Sequence, residues 1–306
     1  MVSSIQNNNS RTLDAAIGIG AGYASYKALP GLVKRPYGRW LITEVREIPE
    51  TQQLEFWKAG QKALQTSGLA GKGVELKDIN SGNLKEVTKD TFEKIAEFEK
   101  KLNSKLGVNA KAKNKAPRSK WKYILFGPGK GDKLKTALEQ MSKGNNACFH
   151  NASNNVYVNK EKMGFSVFHE MGHAINANTT TARKVLSSGR HITAFGVPLL
   201  LFTALVKRRK PESETEPKNI QRKKNFLKDN IGLLTFACLL PTVVEEGLAS
   251  INGAKLAKDV LSPEMLKKLN VTNAKAFGSY ALGAVAISLC AQLAVYVKDK
   301  VFPPKK

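Results

Sequence analysis

The chain has 306 residues, with 49 Lys and Arg against 25 Asp and Glu, which gives a formal net charge of +24. This length is sufficient for one large domain or two modest ones, with an ample core. The three cysteines, Cys148, Cys238 and Cys290, are too few and too scattered for a disulfide framework. A disulfide-stapled fold is therefore excluded, and a reducing setting is expected for the soluble part.

The first hundred residues carry no recognisable chemistry. Residues 1–30 contain an apolar Gly/Ala-rich run that is not typical of a signal peptide, because the first ten residues include no Lys or Arg. Residues 31–119 form a basic region whose periodicity predicts helices at 50–68 and 85–107. The sequence assigns this region no role.

The net positive charge indicates an anionic partner, for which nucleic acid and a membrane surface are the candidates. A nucleic-acid module interleaves basic and aromatic residues, but the richest basic stretch, 111–122, contains one aromatic residue, Trp121. We therefore expect an exposed linker there and no specific nucleic-acid partner. Anionic membrane lipids explain the charge equally well and fit the apolar segments of the chain better.

Two short runs predict a small sheet. Tyr123–Phe126 is typical of a buried strand, and residues 155–159, Asn-Val-Tyr-Val-Asn, predict a second strand. Together with the helical segments around them, these strands predict a mostly helical α+β fold. The domain built on them would occupy residues 120–260, with the sheet packed on helices.

The sequence His-Glu-Met-Gly-His lies in a predicted helix at residues 165–176, beside an apolar stripe. His169 and His173 are four residues apart, so both imidazoles lie on one face of the helix and can reach the same ion. Glu170 lies beside them, where it suits a general base acting on a metal-activated water. This pattern predicts a zinc (Zn²⁺) hydrolase site. The alternative is a helix with two histidines that are merely satisfied core or surface residues.

A catalytic zinc has three protein ligands and one open position, so a third ligand must come from elsewhere in the chain. Glu245 and Glu246 are adjacent in an apolar, helix-compatible run. We favour Glu246, because its helical neighbours are small and would let that face lie close to the histidine helix. These neighbours are Ala249, Ser250 and Gly253. His150 and His191 are weaker candidates, expected to be solvated or near the substrate.

Three further apolar segments occupy residues 192–206, 231–244 and 276–297. A spanning helix needs about 20 apolar residues, so only the third, within the C-terminal segment 261–306, is long enough by itself. The first two are either buried core helices or the arms of a membrane hairpin at 192–244. They flank a polar, basic tract and lie between the two metal motifs, which favours the hairpin.

These motifs resemble the gluzincin family of membrane-associated zinc endopeptidases, which includes the CAAX prenyl endopeptidases and the heat-shock membrane metalloproteases. In that family a His-Glu-x-x-His helix is followed, after an apolar insertion, by a Glu-x-x-Ala-Asp helix. Residues 246–250, Glu-Gly-Leu-Ala-Ser, match the second motif except at Ser250. Residues 146–150, Asn-Ala-Cys-Phe-His, are similar to a family segment that precedes an edge strand. The resemblance covers about residues 120–260.

The resemblance implies a zincin-like catalytic core, a zinc ion held by His169, His173 and Glu246, and a protein or peptide substrate. Ser250 stands where the family has an aspartate that supports a zinc-binding histidine, and a serine does this only weakly because it carries no charge. If the predicted second strand is an exposed edge, its backbone would pair with an extended substrate; a plain sheet edge is the alternative. The substrate-binding residues would be Asn155, Val156, Tyr157 and Val158.

We therefore expect a zinc metalloendopeptidase with Glu170 as general base, held in a membrane by several spans or by a hairpin. The alternative is an inactive membrane scaffold or regulator that keeps the fold. The resemblance to the heat-shock proteases places the catalytic site in the cytoplasm. The positive-inside tendency of the basic tract would instead place the zinc on the far side of a fully crossing hairpin.

Overall fold

The computed structural model describes four stretches of the chain, residues 47–105, 130–180, 189–207 and 218–301. Three predictions lie outside the described residues: the apolar run in 1–30, the basic stretch 111–122 and the strand Tyr123–Phe126.

The described residues are mostly helical and include a small sheet, as predicted. The helices are α1 (Glu50–Thr66), α2 (Leu84–Lys105), α3 (Lys130–Ser142), α4 (Lys160–Met163), α5 (Val167–Asn178), α6 (Gly189–Val206), α7 (Lys218–Asp229), α8 (Ile231–Lys258) and α9 (Pro263–Val301). The strands are β1 (Glu75–Asp78), β2 (Cys148–His150) and β3 (Asn155–Val158).

The chain divides into two compact units. The sheet unit comprises Ile42–Thr180 and Leu248–Asn273, and the helical unit comprises Met1–Leu41, Thr181–Gly247 and Ala274–Lys306. One boundary between the units falls within α8, after Gly247, and another falls within α9, after Asn273.

The sheet has the strand order β1-β3-β2, with β1 parallel and β2 antiparallel to β3. Leu76 and Phe149 both pair with Val156 in the middle of β3. The strand predicted at 155–159 is therefore present, but it is not an edge strand, so the condition on which it would pair with a substrate is not met. Both sides of β3 are paired, and its four residues are buried.

Helix α5, which carries the histidine motif, is fixed by its apolar face. Phe168 and Met171 are fully buried at 0% exposure, and each such side chain contributes about 1.5–3 kcal/mol of burial free energy. Helix α1 packs against the first residue of α5, Val167. A Cβ atom at Gly60 of α1 would lie 2.6 Å from Cγ1 of Val167. The close approach therefore requires glycine. The region to which the sequence assigned no chemistry thus supplies a support for α5.

Within the described stretches, two helices, α8 and α9, are long and apolar enough to cross a membrane. The apolar segment predicted at 276–297 lies within α9. The segment at 231–244 is part of a longer helix than predicted, because α8 continues through Pro241 to Lys258. Helix α6 is apolar but shorter.

Candidate metal site

Helix α5 places the two histidines of the motif one above the other. Their Nε2 atoms are 3.1 Å apart, and the rings meet edge to face with centroids separated by 4.7 Å. Two imidazoles bound to one zinc at 2.0–2.1 Å, at a tetrahedral angle, have their nitrogens about 3.3 Å apart. The observed separation of His169 and His173 therefore fits a shared metal ion.

Glu246, on α8, completes a cluster of three. One ligand atom from each of His169, His173 and Glu246 lies within 4.8 Å of the other two. Glu246 and His173 are buried, at 4% and 6% exposure. The structure thus brings together the three residues that the sequence predicts as metal ligands. Glu245, the alternative, is also buried but does not belong to this cluster.

Close contact between α5 and α8 depends on glycine in both helices. A Cβ atom on Gly172 would overlap the backbone oxygen of Ala249, and one on Gly253 would overlap the backbone oxygen of Phe168. The small residues that favoured Glu246 in the sequence are therefore at the contact itself. Since a backbone oxygen cannot move aside as a flexible side chain can, a larger residue would separate the helices.

Ser250 contacts the first histidine of the motif. Its Oγ lies 3.2 Å from Nδ1 of His169, which leaves Nε2 of that ring directed at the second histidine. A partner on Nδ1 fixes the orientation and tautomer of a metal-binding histidine.

A buried hydrogen bond also joins helices α5 and α8. Asn252 Nδ2 donates to Asn176 Oδ1 at 2.8 Å. Sequence reasoning missed this pair, since asparagine carries no distinctive signal there.

Glu170 is held at the outer edge of the sheet. It is buried at 8% exposure, and its Oε2 accepts a hydrogen bond of 2.7 Å from the backbone N–H of Phe149 in β2. This N–H is thus directed away from β3. Among the described residues β2 has one strand neighbour, so its other edge faces the carboxylate.

The residues predicted to bind substrate are structural instead. Tyr157 is fully buried, and its hydroxyl shares hydrogen bonds with Thr91, at 2.8 Å, and Ser153, at 3.1 Å. Asn155 donates to the same hydroxyl, and Val156 and Val158 belong to the apolar core. All four lie on the central strand, where neither their backbone nor their side chains can receive a peptide.

His150 is not in the cluster. His150 points to the sheet face opposite Phe149, by strand alternation, and its Nδ1 shares a hydrogen bond of 3.0 Å with Ser153 Oγ. Burial lowers the pKa of His150. The side chain of His191 lies outside the described residues.

No protein-family model, curated protein or solved structure matches this chain. The site is therefore defined by its own residues, as two imidazoles and one carboxylate that could hold a metal ion. Nitrogen and oxygen ligands in this number are a donor set that suits zinc.

Proposed function

We propose that this protein is a membrane-associated zinc metalloendopeptidase. The observation that carries the proposal is the convergence of His169, His173 and Glu246 within 4.8 Å, with Glu170 adjacent in the same helix. The resemblance of the two motifs to the membrane gluzincins supports it. Three protein ligands leave a position open, as catalytic rather than structural zinc sites do.

The chemistry divides between the ion and the protein. Zinc, when bound, would lower the pKa of a water molecule and polarise the carbonyl of the scissile bond. Glu170 would take a proton from the attacking water and then pass it to the leaving amine. The Phe149 N–H holds that carboxylate at the sheet edge, and Ser250 orients His169.

The substrate of this proposal is an extended segment of a protein or peptide. Because β3 is central, the described sheet has two open edges, those of β1 and β2, and the β2 edge is the one next to Glu170. A peptide that pairs with β2 would have to take over the N–H of Phe149 and release Glu170 toward the attacking water. Backbone pairing with a strand edge binds a peptide with little dependence on side chains. The scissile bond would then lie beside the general base.

The membrane location rests on α8 and α9, which have the length and composition of spanning helices. Within α8, the apolar stretch ends next to the metal ligand, since Val244 is 40% exposed and lies two residues before Glu246. Placement of the site on the cytoplasmic side is part of the proposal and follows the resemblance to the heat-shock proteases.

A second candidate is a membrane scaffold or regulator that binds metal without turnover. Ser250 favours it, because a neutral hydroxyl occupies the place of the family aspartate beside His169. Weaker support of the ligand would reduce metal affinity or turnover.

The metal is tested by elemental mass spectrometry of the full chain purified in detergent. We expect near-stoichiometric zinc in the wild type and its loss in His169→Ala and Glu246→Ala. Glu139→Ala, at an exposed position of α3, is the matched control and should retain the metal. Wild-type protein without zinc, even after zinc is added back, would overturn the proposal.

Catalysis is tested separately with Glu170→Gln. This variant should keep its zinc and its fold but lose at least about a hundredfold in peptide hydrolysis, the usual contribution of a general base. Undiminished cleavage would exclude the mechanism. Zinc binding without cleavage by the wild type, across a panel of membrane and unfolded proteins, would favour the scaffold.

A further inference from the structure

The turn between β2 and β3 ends in a residue with an unusual backbone conformation. Asn154 has a φ of 54°, in the left-handed region, and it is the one residue other than glycine with a positive φ in the described part of the chain. Glycine is the usual residue at such a position, because it has no Cβ atom to clash there. Asparagine is tolerated at some cost in backbone strain. What asparagine adds is a side chain, and both polar atoms of that side chain are bonded.

Asn154, Lys72 and Asn178 close a ring of three hydrogen bonds. Nδ2 of Asn154 donates to the backbone oxygen of Lys72 at 2.9 Å, and Nζ of Lys72 donates to the backbone oxygen of Asn178 at 3.1 Å. Nδ2 of Asn178 then donates to Oδ1 of Asn154 at 2.9 Å. Lys72 lies three residues before β1, and Asn178 is the last residue of α5. The ring thus joins three parts of the sheet unit that are distant in sequence.

The ring also completes the C-terminal end of α5. The last four carbonyl groups of a helix have no partner within the helix, and they carry the negative end of its dipole. The ammonium group of Lys72 binds one of these carbonyls, that of Asn178. Nδ2 of Asn178 also donates to the backbone oxygen of Ala174, at 3.0 Å. The side chain that binds Asn154 is therefore itself fixed by its own helix.

The β2–β3 hairpin and α5 are joined a second time, beside the candidate metal site. There Glu170 of α5 accepts the hydrogen bond from the backbone N–H of Phe149 in β2. Glu170 precedes His173 by three residues and Asn178 follows it by five, so the two attachments lie on either side of this proposed ligand. They are about 12 Å apart along the helix, at 1.5 Å per residue. Two attachments at that separation fix both the distance and the direction of the hairpin relative to the helix, which one hydrogen bond does not.

We propose that Asn154 is a positioning residue for the peptidase reaction. It aligns the edge of β2 that does not pair with β3, where the substrate would pair, with the helix that carries Glu170 and His173. This inference rests on the proposed function. Asn154 acts through β2 and α5 and not on the substrate itself. Because a displacement of 1 Å at the reacting atoms can cost about a hundredfold in rate, a loosely held strand edge would lower turnover even with zinc in place.

Hydrogen exchange resolved to single amides tests the alignment in the metal-free full chain. The amide of Phe149 is the reporter, because its hydrogen bond to Glu170 joins β2 to α5. Asn154→Gly keeps the left-handed turn but removes both bonds of the side chain. It should speed exchange of the Phe149 amide about fivefold or more, the effect of losing one hydrogen bond. The matched control is Asn151→Gly, at an exposed position of the same turn whose side chain makes no hydrogen bond within the described residues.

Turnover of an extended peptide tests the effect on the proposed reaction. Asn154→Gly should retain its zinc and its KM, while kcat falls about tenfold or more. Asn154→Asp should restore most of kcat, because aspartate also tolerates the left-handed region and keeps the oxygen that accepts from Asn178. A residue that served only the stability of the fold would not separate kcat from KM and zinc content in this way.

Faster exchange at Phe149 in Asn154→Gly and not in the control, together with the selective loss of kcat, would establish this role. Unchanged exchange at Phe149, or exchange raised equally throughout β3, would overturn it, and so would a normal kcat in Asn154→Gly. A wild type that neither binds zinc nor cleaves peptides would overturn the proposed function instead. The exchange at Phe149 would still decide whether Asn154 aligns the strand with the helix, since that measurement needs neither metal nor turnover.

Discussion

The backbone oxygen of Ala249 lies where a Cβ atom on Gly172 would have to be. Substitution Gly172→Ala should therefore push α5 away from α8 and separate the two motifs that carry the proposed metal ligands. Overpacking of this kind typically costs about 1–3 kcal/mol. We expect a lower midpoint of thermal unfolding and loss of bound zinc, measured on the same preparation.

Gly71→Ala is the control for that substitution. No atom lies within 4 Å of a Cβ atom placed there, and the residue does not have a positive φ. This variant should keep both its unfolding midpoint and its zinc. If Gly172→Ala behaves in the same way, the two helices are not held at the separation that the metal site requires.

Sequence periodicity was sufficient to predict the helix that carries the histidine motif, because the buried residues of that helix repeat at the helical period. Small residues were sufficient to choose Glu246 over Glu245, since they mark the face that lies close to α5. The position of the strand Asn155–Val158 in the sheet was not predictable. Its second neighbour, β1, reads Glu-Leu-Lys-Asp, which lacks the apolar, β-branched residues typical of strands.

Backbone pairing with β3 holds this polar strand in the sheet, and ion pairs add a smaller contribution. Glu75 of β1 is bonded to Lys77 at 2.9 Å and to Lys94 of α2 at 2.8 Å, and these partners lower the pKa of Glu75. Glu75 and Lys94 are 19 residues apart in sequence, so a local sequence pattern does not predict their contact.

The length of α8 was not predicted for another reason. Pro241 is as compatible with a helix end as with a helix interior.

The hydrogen bond between Ser250 and His169 predicts an effect of charge on metal affinity. Ser250→Asp would place a carboxylate on the imidazole Nδ1, raising the basicity of the ligand, and we expect zinc affinity to increase by about tenfold or more. Ser250→Ala should decrease it. Competition with a chelating fluorophore measures both changes.

Ser262→Asp provides the matched control for charge. Ser262 is exposed and its Oγ accepts a hydrogen bond from the N–H of Met265 at the start of α9, a capping role that aspartate also fills. The control should leave zinc affinity unchanged. Equal affinity changes in Ser250→Asp and Ser262→Asp would mean that added negative charge, and not support of His169, determines the result.

The environment of His150 predicts a pH dependence of stability. Because burial lowers the pKa of this imidazole below its ordinary value of 6.5, the unfolded chain takes up a proton before the folded protein does. The stabilising contribution is therefore complete above pH 6.5 and is lost as the pH falls through the lower, folded pKa. Denaturant unfolding of metal-free protein should show this decline below pH 6.5, and His150→Asn should reduce it. Identical pH profiles for the two proteins would contradict the assignment.

The exposed apolar side chains of α9 predict the effect of a charge on membrane integration. Leu289 is 65% exposed near the middle of the apolar stretch, and a lysine at the centre of a spanning helix costs about 3 kcal/mol. Leu289→Lys should therefore lower the fraction of protein that stays with membranes after an alkaline carbonate wash. Phe98→Lys, at a 46% exposed position of α2, should have no such effect, because that helix belongs to the sheet unit. Release of the wild type by high salt alone would show that α9 does not span, since only surface attraction is screened by salt.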